Sequence, residues 1–178
     1  MTNLNENTLA EQPVLEWLKE LGYEYAFGPD IAPGGPFMER GDPRGVVLET
    51  RLKRSLKRIN PDIPDKQLNE VADKIIKYTH QDLELGNKEM YKWISNGIGI
   101  VLEDKQGDER GEYVDIIDFK NPGNNEFLVV NQFSVQGNSV RIPDVVVFIN
   151  GIPIAIFELK NPTSEKTTVA EAYSQIHD

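Results

Sequence analysis

Residues 141–162, RIPDVVVFINGIPIAIFELKNP, decide how the rest of this chain is read. Two apolar, β-branched runs, 145–149 and 152–157, flank Asn150-Gly151, a strong short-range signal for a β-hairpin. Neither run alternates cleanly with polar residues. Both faces of the hairpin are therefore expected to be covered, with the hairpin lying centrally in a sheet. Three charged residues, Asp144, Glu158 and Lys160, interrupt this apolar setting. A desolvated carboxylate without a partner is costly, so such groups imply either paired charges or a bound metal.

The spacing has a chemical meaning. Phosphodiester hydrolysis uses a Mg²⁺ to polarise the phosphate and to lower the pKa of a water, together with a positive group near the developing charge. An acidic residue on one strand and Glu-x-Lys on the next supply that set. Asp144 and Glu158 would ligate the metal with the Leu159 backbone carbonyl, and Lys160 would supply the charge. Residues 158 and 160 face the same side of a strand. A structural ion pair between Lys160 and a neighbouring carboxylate is the rival reading. Glu-x-Lys alone carries little information, as Glu103-Asp104-Lys105 shows in a polar loop with no strand context.

Parity tests the site. With a strict two-residue turn, Ile149 pairs with Ile152 and Asp144 with Phe157, so Asp144 faces away from Glu158 and Lys160. A shared site requires an odd-numbered loop or a bulge in the hairpin; a three-residue turn pairing 149 with 153 would put Asp144 across from Glu158.

Composition narrows the alternatives. The 178 residues suffice for one sizeable domain, and 39% hydrophobic with 27% charged residues is the balance of a globular protein. No long apolar run and no signal-peptide pattern occurs, so neither a membrane span nor a membrane partner is expected. The absence of cysteine excludes thiolate metal sites, and with only His80 and His177 histidine-rich ones are poorly supplied, so any metal is expected to be an oxygen-ligated hard cation. The net charge of −10 argues against nucleic acid as a partner, but its distribution does not. RLKRSLKR at 51–58 concentrates Arg51, Arg54, Lys57 and Arg58 on one helix face, either as a solvated face or as a strip facing DNA phosphates.

Along the chain, 11–21 reads as an amphipathic helix carrying Val14, Leu15, Leu18 and Leu21, with Gly22 as its stop. Thr8 and Glu11 suit a capping box, which leaves Pro13 awkwardly inside. Glu11 lies on the apolar stripe, and its plain reading is a carboxylate favoured by the helix dipole. Residues 27–43 read as an irregular loop. Helices are expected at 46–59, from Pro64 onward, and at 87–96, forming a helical lobe over about 46–96. Strands are expected at 98–102, 114–119 and 127–135, and a last helix at 163–178. That helix has no stop signal, which suggests a fragment of something longer.

Four stretches together resemble the N-terminal nuclease domain of type I restriction endonuclease R (HsdR) subunits, a PD-(D/E)xK fold, over nearly the whole chain. They are LEWLKELGYEYAFGPDIAPGG, VVLETRLKRSLKRINPDIP, IIDFKNPGNNEFLVVNQFSV and the hairpin itself. The resemblance implies a catalytic set of Asp144, Glu158 and Lys160. Glu11 matches an acidic residue of the first helix, and Gln175 matches the glutamine of a Gln-x-x-x-Tyr motif. The tyrosine of that motif would be residue 179, one beyond this chain, so this fragment is expected to be weakly active or inactive alone.

The implied fold is α/β, a mixed central sheet flanked by the first and last helices, with the helical lobe set between the first helix and the sheet in one nuclease domain. The implied function is Mg²⁺-dependent cleavage of double-stranded DNA in a cytoplasmic restriction complex with methylation and specificity subunits. ATP would serve only a translocase downstream of these residues. A stand-alone nuclease or resolvase and a catalytically silent docking module are the alternatives.

Overall fold

The computed structural model describes residues 6–103 and 107–159. Its principal sheet has four strands in the order β1-β4-β7-β8: Glu24–Phe27, Phe127–Asn131, Val145–Ile149 and Ile152–Phe157. β1 runs parallel to β4, and the other neighbours are antiparallel, so the sheet is mixed as expected. Alternate residues of β4 and β7 point to opposite faces, and both faces are covered. Val129, Val145 and Val147 pack against Leu15 and Leu18 of helix α1 (Glu6–Glu20). Leu128, Val130, Val146 and Phe148 pack on the other face with Ile31, Leu48 and Phe133. This double burial explains the unbroken apolar run of β7.

Only half of the hairpin is central. Among the described strands β8 is an edge, with Ile154 and Ile156 exposed. The first helix also departs from expectation. α1 begins at Glu6, so position 8 lies inside the helix instead of at its N-cap, and Pro13 lies inside it too. A proline there costs about 3 kcal/mol, which burial of Leu15 and Leu18 on the sheet offsets. Leu21, expected on the buried stripe, lies past the helix end and is exposed. Gly22, at φ 92, turns the chain into β1.

Three helices, α3 (Glu49–Ile59), α4 (Asp65–Ile76) and α5 (Leu83–Asn96), build a second core. Leu52, Leu56, Leu68, Val71, Ile75 and Trp93 fill it. α5 starts a turn earlier than its apolar pattern suggested, because Asp82 caps it by accepting the Leu85 N–H at 3.0 Å. The strands β2 (Ile98–Glu103) and β3 (Glu109–Val114) form a separate ribbon on this core instead of joining the main sheet.

Of the strand expected at 114–119 only Val114, the last residue of β3, is in a strand; residues 115–119 are not. Asn60 explains why: its side chain donates to the Asp115 carbonyl at 2.9 Å and accepts the Asp115 N–H at 2.9 Å, replacing ladder bonds. The expected strand 127–135 is likewise cut at Asn131, since Gln132 adopts φ 55. Val135–Gln136 (β5) then pairs with Val140–Arg141 (β6) in a small ribbon. Several elements fall inside stretches not read as regular: β1, α2 (Gly28–Ile31) in the expected loop, β6, and most of β3.

The hairpin turn is a strict two-residue one, with Ile149 opposite Ile152 and with Asn150 and Gly151 at φ 53 and 80. A bulge follows at once. Phe148 pairs with Pro153 but Val147 with Ala155, leaving Ile154 as the extra residue. Proline beside a bulge on an edge strand sacrifices no central ladder bond. The turn also holds the second core to the sheet. Asn150, fully buried, donates to the Ile116 carbonyl at 2.8 Å and to Asn125 Oδ1 at 2.9 Å, and accepts the Glu126 N–H at 2.8 Å. The Gly151 carbonyl accepts the Leu48 N–H at 2.8 Å, at the start of α3.

Candidate active site

The bulge at Ile154 restores the parity that a two-residue turn would have spoiled. Val145 pairs with Phe157, and the register continued one step further puts Asp144 opposite Glu158. Asp144 is 9% exposed, and its Oδ2 accepts the Leu159 N–H at 2.6 Å. Its carbonyl accepts the Gln132 N–H at 3.3 Å. The Leu159 side chain joins the α1 face with Phe157, so Glu158 between them points to the other face, which Asp144 shares with Val146 and Phe148. Glu158 lines a cavity of about 390 Å³, walled in part by Arg141, Ile142, Pro143 and Ile156.

Glu11 reaches the same end of the sheet from the α1 face. It lies in the interior of α1 and is 3% exposed, so the dipole reading of this carboxylate does not hold. Its two oxygens accept from Asn131 Nδ2 at 3.1 Å and Gln132 Nε2 at 3.0 Å. Asn131 in turn accepts the Tyr25 hydroxyl proton at 3.0 Å. Burial, with help from Asp30 and Glu11, raises the Tyr25 pKa and keeps that phenol a donor. Gln132 thus joins Glu11, through its side chain, to the Asp144 backbone, through its N–H. None of Asn131, Gln132 and Tyr25 stood out in the sequence. The visible signal was polar Asn131-Gln132 ending an apolar strand.

Among the described residues no three His, Cys, Asp or Glu side chains cluster so as to hold a metal. The donors at the hairpin end still suit a hard cation. Asp144 keeps Oδ1 clear of the Leu159 bond, and Glu158 and the Leu159 carbonyl are the next oxygen donors in chain order at the hairpin end. Mg²⁺ binds through one or two carboxylates and completes its shell with waters and substrate phosphate oxygens. The residues therefore fit such an ion. Lys160 and Gln175 lie outside the described residues.

The basic face of α3 is heavily paired. Arg51 holds Glu39 through Nε at 2.7 Å and Nη2 at 3.0 Å, and reaches Glu24 at 2.8 Å and Glu126 at 3.5 Å. Arg54 binds Glu126 at 2.7 Å, Arg58 binds the Asn124 carbonyl at 2.7 Å and Glu126 at 3.2 Å, and Lys57 pairs with Asp65. Burial opposes ionisation of Glu126, but Arg54, Arg58 and Arg51 outweigh it and lower its pKa. Arg40, 3% exposed, has its pKa lowered by burial. It donates to the Pro43 carbonyl at 3.1 Å, the Gly45 carbonyl at 2.6 Å and the Ser134 carbonyl, and stacks on Phe133 at 4.2 Å.

Comparison with known proteins shows the family of the chain. Residues 3–178 match the family model for the N terminus of type I restriction enzyme R proteins. The endonuclease subunit of the type I restriction enzyme HindI from Haemophilus influenzae is 35% identical over 174 residues, which is 97% of this chain and 16% of that protein. A protein of Methanocaldococcus jannaschii, assigned as the MjaIXP endonuclease subunit, is 37% identical over 168 residues, 92% of this chain and 16% of its own length. The chain therefore spans about a sixth of the length of these relatives.

Proposed function

Because the chain belongs to the family of type I restriction enzyme R-protein N termini, we propose that it hydrolyses phosphodiester bonds of double-stranded DNA with Mg²⁺ as cofactor. The observation that carries this reading is the bulged hairpin end, where Asp144 is buried against the Leu159 N–H one residue beyond the Val145–Phe157 pair. A bound divalent ion supplies Lewis-acid polarisation of the phosphate and a water of lowered pKa. Asp144 and Glu158, with the Leu159 carbonyl, would hold it. The Leu159 N–H fixes one oxygen of Asp144 and so orients the other. Glu11 positions the site indirectly, by holding Gln132 against the Asp144 backbone. Lys160 is assigned the positive charge beside the reacting phosphate, and Gln175 a supporting contact. The exposed edges of Arg54, Lys57 and Arg58 are the candidate surface for more distant DNA phosphates. Arg51 is too enclosed by carboxylates to share that role.

In the intact enzyme this activity would be coupled to ATP-driven translocation by other parts of the protein, alongside methylation and specificity subunits in the cytoplasm. Asp144→Ala or Lys160→Ala in the assembled enzyme should abolish DNA cleavage while ATP hydrolysis persists. Cleavage at the wild-type rate by either variant would refute the assignment.

A further inference from the structure

The cavity beside Glu158 contains a cation that the reading above leaves unused. Arg141 closes the β6 ribbon three residues before Asp144 and lines the same cavity as Glu158. Arg44, Arg51, Arg54 and Arg58 each hold a carboxylate. Arg141 makes no ion pair among the described residues, although it is half-buried. Its backbone is well fixed. Val135 pairs with Arg141, the Gln136 N–H binds the Pro43 carbonyl at 3.0 Å, and Arg40 clamps Ser134 behind the ribbon. Pro143 stiffens the link to Asp144.

The carboxylate that lines the cavity, Glu158, offers a phosphodiester no attraction, and a chain of net charge −10 offers none in general. A guanidinium carried into the cavity wall on a fixed backbone is suited to grip phosphate oxygens through its planar fork. We propose that Arg141 and the β5–β6 ribbon form a phosphate-binding subsite for the DNA strand entering the Asp144–Glu158 site. This inference rests on the nuclease reading above and names a contact that reading does not contain.

The test is the salt dependence of binding of the full chain to a short duplex, with Ca²⁺ replacing Mg²⁺. Wild type is compared with R141Q, R141K, R110Q and D144N. Each phosphate contact contributes about 0.9 to the slope of log K against log salt. R141Q should lower the slope by about that amount. R141K should keep the slope but bind several-fold more weakly, because a point charge replaces the fork. R110Q, which removes an exposed arginine on β3, should change neither. An unchanged slope in R141Q, an equal fall in R110Q, or a wild-type chain that does not bind would each overturn the subsite. If R141Q leaves the slope unchanged while D144N abolishes the Ca²⁺ dependence of binding, the subsite falls and the nuclease reading stands. If D144N and Ca²⁺ removal are both without effect, the two fall together.

Discussion

Replacing Arg51 with methionine should destabilise this protein more than any other single change on α3's polar face. The Arg51 side chain is 13% exposed, and its partners Glu39 and Glu126 are 18% and 10% exposed. Burial works against its charge, but Glu39 and Glu24 outweigh burial and raise its pKa above the usual arginine value. Removing one partner of a fully buried pair costs about 3–5 kcal/mol, because the other charge is left desolvated. The cost here is smaller for two reasons. Glu24 is 66% exposed, so its bond adds little, and Glu126 keeps Arg54 and Arg58. The orphaned group is Glu39, which loses a two-pronged charge-assisted contact, so the expected loss is about 2–3 kcal/mol. In a domain of this size that lowers Tm by about 4–12 °C. Thermal and urea unfolding of Arg51→Met measure it, and adding Glu39→Gln should recover part of the loss. A loss under about 0.5 kcal/mol would show that these contacts behave as exposed pairs and that the reasoning is wrong.

Gly151→Ala should cost about 3 kcal/mol in urea unfolding, from its positive φ and the loss of the Leu48 N–H bond. An added Cβ there would lie 2.5 Å from the Leu48 carbonyl oxygen and 2.8 Å from the Leu52 nitrogen, both backbone atoms of the lobe. Glu126 should make stability fall on acidification. Its folded pKa is depressed, so its contribution is present above the ordinary glutamate value of 4.5 and is lost as pH falls through the lower folded value. Glu126→Gln should flatten that acid limb in melts run across the window, and an unchanged limb would deny the arginine cluster its role. Mg²⁺ at about a hundred times its Kd should stabilise the wild type by about 2.7 kcal/mol, and Asp144→Asn should lose most of the resulting Tm shift. Equal shifts in the two proteins would mean that the ion binds elsewhere.

The hairpin was legible because turn chemistry and strand composition are local. Asn150-Gly151 fixed the turn, and the charge pattern fixed which strand ends mattered. The bulge was legible only as a requirement of parity, since nothing in Ile152-Pro153-Ile154 distinguishes a bulge from a longer turn until Pro153 is read as a residue that avoids a ladder position. β1 was missed because three of its four residues are exposed, so periodicity gives no signal and only its pairing with β4 makes it a strand. The strand expected at 114–119 failed for the opposite reason. Val114, Ile116 and Ile117 are indeed buried, but Asn60, far away in sequence, takes the backbone bonds of Asp115. Arg51 and Glu126 show the same limit for charge: a basic run reads as a surface strip until its acidic partners, from β1, the 32–48 loop and the start of β4, are brought to it.

The two ends of the hairpin divide its duties. Asn150-Gly151 receives α3, whereas Asp144 stands beyond the other end of β7, six residues and about 20 Å from Asn150 at the rise of a strand. The lobe therefore holds the sheet together at the end remote from the proposed chemistry. A duplex touching both Arg141 and the outer edges of Arg54 and Arg58 would have to lie along the length of the hairpin. It follows that damage to the lobe and damage to the site should separate by temperature. An Arg51→Met protein assayed well below its Tm should retain metal-dependent stabilisation, because the contacts shown for the Asp144 end of the hairpin come from Leu159, Gln132 and, through Gln132, Glu11, none of them in the lobe. Loss of that stabilisation at a temperature where the variant is fully folded would mean that the lobe shapes the site directly.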